Sequence, residues 1–226
     1  MALAGADLMA WWEGARRLEL QPESDDQPAI KPTQVIIHSI AAPWDEDRLL
    51  EHWKTTTLES HFGVDYDGSA GQYIGTETRA DANARANLRP DGTGAVSVET
   101  ASRTDSTDPW TAAQLDTLTA LGVWANRRHP TIPLRICRTW DDPGFGYHGM
   151  FPEWSTSGTA CPGPARIKQF REVLFPRILA RATGQPEAGL TDKDIARIAA
   201  QVAGTPAFVN AVAARTTELL VARLAS

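Results

Sequence analysis

Val35-Ile36-Ile37-His38-Ser39 is the stretch from which the rest of this sequence can be read. Its three successive β-branched residues lie between Pro32 and a turn around Pro43. They favour an extended chain, because side chains branched at Cβ suit a pleated surface and crowd a helix. An unbroken apolar run, as opposed to an alternating one, marks a strand covered on both faces. Such a strand belongs inside a sheet with helices packed on it. The run ends at His38, so a metal-binding side chain stands where a rigid strand meets a loop.

Working outward, Asp45 caps a helix to about Trp53, and His61 to Ile74 alternates around Asp67-Gly68 as a hairpin does. Ala95 to Glu99 reads as a further strand, and Thr111 to Trp124 as a helix with Leu115, Leu118, Leu121 and Trp124 at helical spacing. Leu134 to Cys137 reads as the next strand, followed by the Gly-rich loop Gly144 to Gly149. Pro164 then opens a helix carrying Ile167, Phe170 and Leu174, which Pro176 bends or ends. Strands mixed with helices of this length predict an α/β fold, a central mixed β-sheet flanked by helices.

The flanks differ in character. Residues 7–20 read as a helix with Trp11, Trp12 and Leu18 as apolar candidates, and Gln21 to Pro32 as a polar, acidic linker. Gly184 to Gly189 reads as a second linker, with helices starting at Thr191 and at Thr205-Pro206. The expected partition is residues 1–32 as an N-terminal helix and linker, 33–183 as the main domain, and 184–226 as a linker and C-terminal helical pair. That pair is too short to bury a stable core alone, so it is expected to dock or to mediate self-association.

Composition narrows the function. Among 226 residues, 22 Lys and Arg stand against 28 Asp and Glu, a net charge of −6, which excludes the basic footprint of a nucleic-acid binder. No window approaches the apolar length of a membrane span, and Met1 to Leu20 lacks the pattern of a secretory signal. The expected location is therefore the cytoplasm of the producing cell. Two cysteines, Cys137 and Cys161, do not make a disulfide framework.

A catalytic zinc site uses three protein ligands and keeps a fourth position open. His38, His148 and Cys161 are suitable donors, each at the junction of a regular element with a loop. Neither His-Glu-x-x-His nor Gly-x-Ser-x-Gly occurs, which removes two common hydrolase mechanisms. A structural zinc site would want four protein ligands, and the motifs supply three.

Five segments occur in the order seen in one family: Val35 to Ser39, Glu59 to Gly68, Ser97 to Thr100, Gly146-Tyr147-His148, and Thr159 to Gly163. Over roughly residues 33–175 the chain resembles the type 2 N-acetylmuramoyl-L-alanine amidases, which share their fold with the peptidoglycan-recognition proteins. The resemblance implies one Zn2+ held by His38, His148 and Cys161. It also implies hydrolysis of the amide between N-acetylmuramic acid and L-alanine in bacterial peptidoglycan, leading to cell-wall lysis. Glu99 matches the strand carboxylate that acts as general base in bacterial members. Thr159 stands where other members carry Lys or Thr, and Ser60 where several carry a catalytic Tyr.

His61, Trp44 and Trp154 are candidates for binding substrate, with core packing the competing reading for His61. His52 and His129 read as surface residues. The alternative function is a silent peptidoglycan-binding module of the same fold, although such members typically lose the Cys ligand. Short length and the missing signal are similar to a bacteriophage endolysin, which would reach the wall through a membrane-opening partner.

Overall fold

In a computed structural model the chain divides into two units after Gln185. The structure describes residues 10–185, all within the first unit. The expected helices beyond Thr191, and with them the docking or self-association of that segment, lie outside the described residues.

Six strands form one mixed sheet: β1 (Arg16–Arg17), β2 (Lys31–Ile37), β3 (Phe62–Val64), β4 (Ala70–Gln72), β5 (Thr93–Thr100) and β6 (Gly144–Tyr147). Their spatial order is β1-β4-β3-β5-β2-β6, and only the β3–β4 hairpin is antiparallel. The helices are α1 (Glu23–Asp26), α2 (Glu46–Trp53), α3 (Ala112–Arg128), α4 (Pro164–Gln169) and α5 (Phe175–Thr183). A π-helical turn, Phe170–Leu174, joins α4 to α5.

Alternation along the strands divides the core. Val35 and Ile37 of β2, Val96 and Val98 of β5, and Phe145 and Tyr147 of β6 share one cluster with Leu115, Leu118 and Leu121 of α3 and Ile178 of α5. Ile36 and Ala95 join a second cluster with Cys137 and Trp154. Both faces of β2 are therefore covered, as its unbroken apolar run requires. Helix α3 begins with a capping box: the Thr111 hydroxyl accepts from the Gln114 N–H, and the Gln114 amide oxygen accepts from the Thr111 N–H. The Asp45 carboxylate caps α2 by accepting from the Arg48 N–H at 2.7 Å.

Two expected elements are replaced. The part of the predicted N-terminal helix that is described, residues 10–20, contains the short strand β1, parallel to β4. Leu18 N–H and Leu20 N–H donate to the Gln72 and Tyr73 carbonyls, each at 2.8 Å, while Trp12 and Leu20 are buried. An open sheet edge offers this segment ladder partners, and those outweigh a weak helical pattern broken by Gly14. The stretch also belongs to the domain, since β2 starts at Lys31 within the expected linker.

Leu134 to Cys137 is not a strand either; Ile136 makes one isolated bridge to Phe145. The strand that pairs with β2 is Gly144–Tyr147, read from sequence as a loop. Its glycines are needed for packing: a Cβ on Gly146 would stand 2.5 Å from the Trp154 ring. The Trp154 ring can approach the sheet this closely only because position 146 has no side chain.

Arg166, near the start of α4, is fully buried. It makes five hydrogen bonds: to the Asp108 carbonyl at 2.9 Å, Ser39 Oγ at 2.8 Å, Thr100 Oγ1 at 2.8 Å, the Ala101 carbonyl at 2.8 Å and Asp108 Oδ2 at 3.0 Å. Removing one partner of a buried ion pair leaves the other uncompensated, a cost of about 3–5 kcal/mol. Arg166→Ala is expected to lower the melting temperature by roughly 10 °C, at ~2–4 °C per kcal/mol for a chain of this size. A calorimetric melt within two or three degrees of wild type would contradict this.

Candidate metal centre

The register of the parallel strands assembles the site. Ile37 lies opposite Val98 of β5 on one side and Tyr147 of β6 on the other. The residues that follow, His38, Glu99 and His148, are therefore brought side by side at the carboxyl ends of three neighbouring strands. This is the edge where open parallel sheets place their ligands. Cys161 arrives from the turn before α4. One potential ligand atom from each of His38, His148 and Cys161 lies within 4.8 Å of the other two, the one such cluster among the described residues. The two imidazole centroids are 4.2 Å apart.

Hydrogen bonds leave one nitrogen free on each ring. His148 Nε2 is 3.0 Å from the Trp154 carbonyl, which can only accept, so Nε2 carries the proton and Nδ1 keeps its lone pair. His38 Nε2 is 2.8 Å from Asn83 Oδ1, with the same consequence. His38 Nδ1 is 3.6 Å from Glu99 Oε1. The Ser39 N–H donates to Cys161 Sγ at 3.1 Å, as it would to a thiolate ligand.

Burial sets the electrostatics. It pushes the pKa of His38 well below its ordinary range and His148 downward as well, so both rings are neutral, the form that binds metal. It pushes the Cys161 thiol upward, with the nearby Glu99 charge adding to the effect. It raises Glu99 to about 8, opposed only partly by Arg166. Glu99 Oε2 is buried with no hydrogen-bond partner. Two neutral imidazoles, a thiol and an underused carboxylate form a donor set suited to a borderline-soft divalent cation, zinc above all.

The other expected site residues fall elsewhere. His61 is fully buried and both its nitrogens are engaged: Nδ1 accepts from the Ser97 N–H at 3.0 Å and Nε2 donates to the Thr78 carbonyl at 2.9 Å. It pins β3 to β5 and has no atom left for substrate. Trp154 is also fully buried, its Nε1 donating to the Trp140 carbonyl at 2.7 Å. Its part in the site is its backbone oxygen, which orients His148.

Trp44 is half-buried, its ring 4.8 Å from that of His52 on α2 and tilted 54° to it. Thr159 is exposed, and its Oγ1 accepts from the Cys161 N–H at 3.1 Å, shaping the turn that presents the thiol. Asn83 and Arg166 are the functional neighbours that sequence reading missed. Arg166 follows Cys161 by five residues on an amphipathic helix, and nothing local marks it as buried.

A family model described as N-acetylmuramoyl-L-alanine amidase matches residues 28–164, more than half of the chain. The protein belongs to that family and is an amidase. No curated protein matches it in sequence. Among solved structures, PlyL superposes with a TM-score of 0.53 at 18% identity, covering 76% of this chain and 99% of that one. The PlyG catalytic domain gives 0.53 at 16%, covering 76% and 98%. AmpD gives 0.51 at 20%, covering 71% and 94%. At these identities the likeness shows a shared fold.

The buried rings predict an acid sensitivity. His61 and His129 are both held at about 4 by burial. His129, expected on the surface, is in fact 5% exposed, with Nε2 2.8 Å from Thr76 Oγ1. Between their ordinary pKa near 6.5 and about 4, the unfolded chain binds protons that the folded chain refuses. Stability is then present above pH 6.5 and lost as pH falls, by ~1.4 kcal/mol per unit for each ring. Glu99 acts oppositely from 4.5 to about 8, and Glu59 and Asp65, also raised by burial, act with it, but against four depressed rings, His38, His61, His129 and His148. Urea unfolding of the metal-free protein should show a midpoint that drops between pH 6.5 and 4, and a flat profile would refute the linkage.

Proposed function

We propose that this amidase uses a bound zinc ion to hydrolyse the amide between N-acetylmuramic acid and L-alanine in bacterial peptidoglycan, and so lyses the cell wall. The observation that carries the reading is the convergence of His38, His148 and Cys161 beside a buried carboxylate, Glu99. A zinc ion held by these three residues would supply a Lewis acid for the scissile carbonyl and would lower the pKa of water toward neutrality.

The remaining chemistry belongs to side chains. Glu99 takes a proton from the attacking water and hands it to the leaving amine, a role for which a pKa near neutrality is suited. Thr159, exposed at the rim, has a hydroxyl hydrogen free to donate to the oxyanion, since its oxygen serves Cys161 as an acceptor. Arg166 holds the Ser39 and Thr100 ends of β2 and β5 in place from beneath. In the cell we assign the chain the part of a phage endolysin, reaching the wall through a membrane-opening partner.

The test is mass analysis of purified peptidoglycan after digestion. Free L-Ala amino termini are expected, with about one zinc per chain in the purified protein. Retention on the polymer without release of those termini would favour a silent recognition module. His38→Ala and Cys161→Ser should each abolish both zinc retention and lysis, and full activity in either would reject the ligand assignment. Glu99→Gln should keep the zinc and lose at least about a hundredfold in rate, since positioned acid–base groups typically contribute ~10²–10⁴. Near-normal turnover would move the proton transfer to another group.

A further inference from the structure

His148 and His38 are oriented in different ways. The Nε2 of His148 meets a main-chain carbonyl, which no substitution can remove, whereas that of His38 meets a side chain, Asn83 Oδ1, at 2.8 Å. Both His38 and Asn83 are buried from solvent, so water cannot replace the acceptor. We infer that Asn83 is a positioning residue for the metal centre: its side-chain carbonyl holds the proton of His38 on Nε2 and leaves Nδ1, the nitrogen beside Glu99, as the ligand atom. The inference rests on the metal reading proposed above.

Three observations support it. The amide is not placed there by a network of its own, because Asn83 Nδ2 is buried without any hydrogen-bond partner. A buried amide donor left unpaired is costly, by ~1–3 kcal/mol, so the bond made by Oδ1 is the one polar contact this side chain makes in return. The backbone around it is also specially built. Asn83 N–H donates to Asn87 Oδ1 at 2.6 Å, and the next residue, Ala84, holds a left-handed φ of 46°. A non-glycine residue in that region is strained. The strained turn leads into the single helical turn Ala84–Ala86 and presents Asn83 to His38 from outside the sheet.

The consequence is tautomeric control. An imidazole whose Nε2–H has lost its acceptor can move the proton to Nδ1, and in that form Nδ1 has no lone pair to offer. Partners of this kind typically affect metal affinity by ~10–100-fold. An aspartate at the same place keeps an acceptor oxygen, replaces the unpartnered NH2 with a second oxygen and adds a negative charge that favours the Nε2 proton. A leucine has nearly the same shape and no acceptor.

The experiment compares full-length wild type, Asn83→Asp and Asn83→Leu by zinc affinity, using chelator competition, alongside melting of the metal-free proteins. Asn83→Leu is expected to bind zinc ~10–100-fold more weakly and Asn83→Asp to stay within about threefold of wild type or bind more tightly. The metal-free melts check that folding is not the cause. Asn83→Ala, which introduces no clash, gives the same comparison should leucine not be accommodated. Wild-type affinity in the leucine or alanine variant, or equal weakening in the aspartate and leucine variants, would overturn the inference alone. Failure of the wild-type chain to bind zinc would instead overturn the metal reading beneath it.

Discussion

The buried guanidinium of Arg166 ties together the ends of the strands that bear the site. Its Nη1 meets Ser39 Oγ and Thr100 Oγ1, the residues following His38 and Glu99 in sequence. Thr100 passes the constraint on by donating to the His38 carbonyl at 2.5 Å, and Ser39 by donating through Oγ to the Pro162 carbonyl at 3.0 Å. The same Ser39 turns its N–H to Cys161 Sγ. One planar cation therefore sets the relative positions of β2, β5 and the cysteine turn. Lysine, with a compact ammonium in place of the planar fork, could not reach all these acceptors at once.

Desolvation, not a specific partner, sets the charge state of the proposed ligands. Removal from water disfavours every charged form, so His38 and His148 lose their protons readily while Cys161 and Glu99 hold theirs. The result is a neutral cluster in a buried setting, one that has no cost of mutual repulsion to bear. A divalent cation inverts this logic, because its own charge is then the largest in the site and favours the thiolate and the carboxylate. Uptake of the proposed metal would for that reason be coupled to proton release.

The main α/β architecture and the three converging donors were legible because each has a local signature. Val35-Ile36-Ile37 encodes a doubly covered strand, Asp45 and Thr111 encode helix starts, and His38, His148 and Cys161 lie in recognisable motifs. What was not legible depends on partners distant in sequence. Arg16–Arg17 is a strand because β4 has an open edge, and Gly144–Tyr147 is a strand because β2 lies beside it and Trp154 needs space over Gly146. Phe145 and Tyr147 do alternate with glycine, a period-two signal that the glycine content masked. His61 looked like a site residue because it sits in a motif segment, and Trp154 because it falls in a loop beside a ligand segment, yet both are fully buried. Motif membership marks proximity to a site and does not distinguish the lining from its support.

Ser60 sharpens the question of where protons move. At this position the chain has a fully buried serine whose hydroxyl finds no partner among the described residues. A hydroxyl sealed from solvent is a poor route for handing a proton to a departing amine. Thr159 is accessible but brings one neutral hydrogen bond and no proton of useful acidity, and neutral bonds are about half as strong as charge-assisted ones. Glu99 alone combines a pKa raised to about 8, an unpartnered oxygen and a place within 3.6 Å of a proposed ligand nitrogen. In the mechanism proposed above, acid and base duties that two groups can divide fall in turn on this single carboxylate. Its pKa then has to be set for both, which its deep burial and the opposing charge of Arg166 together accomplish.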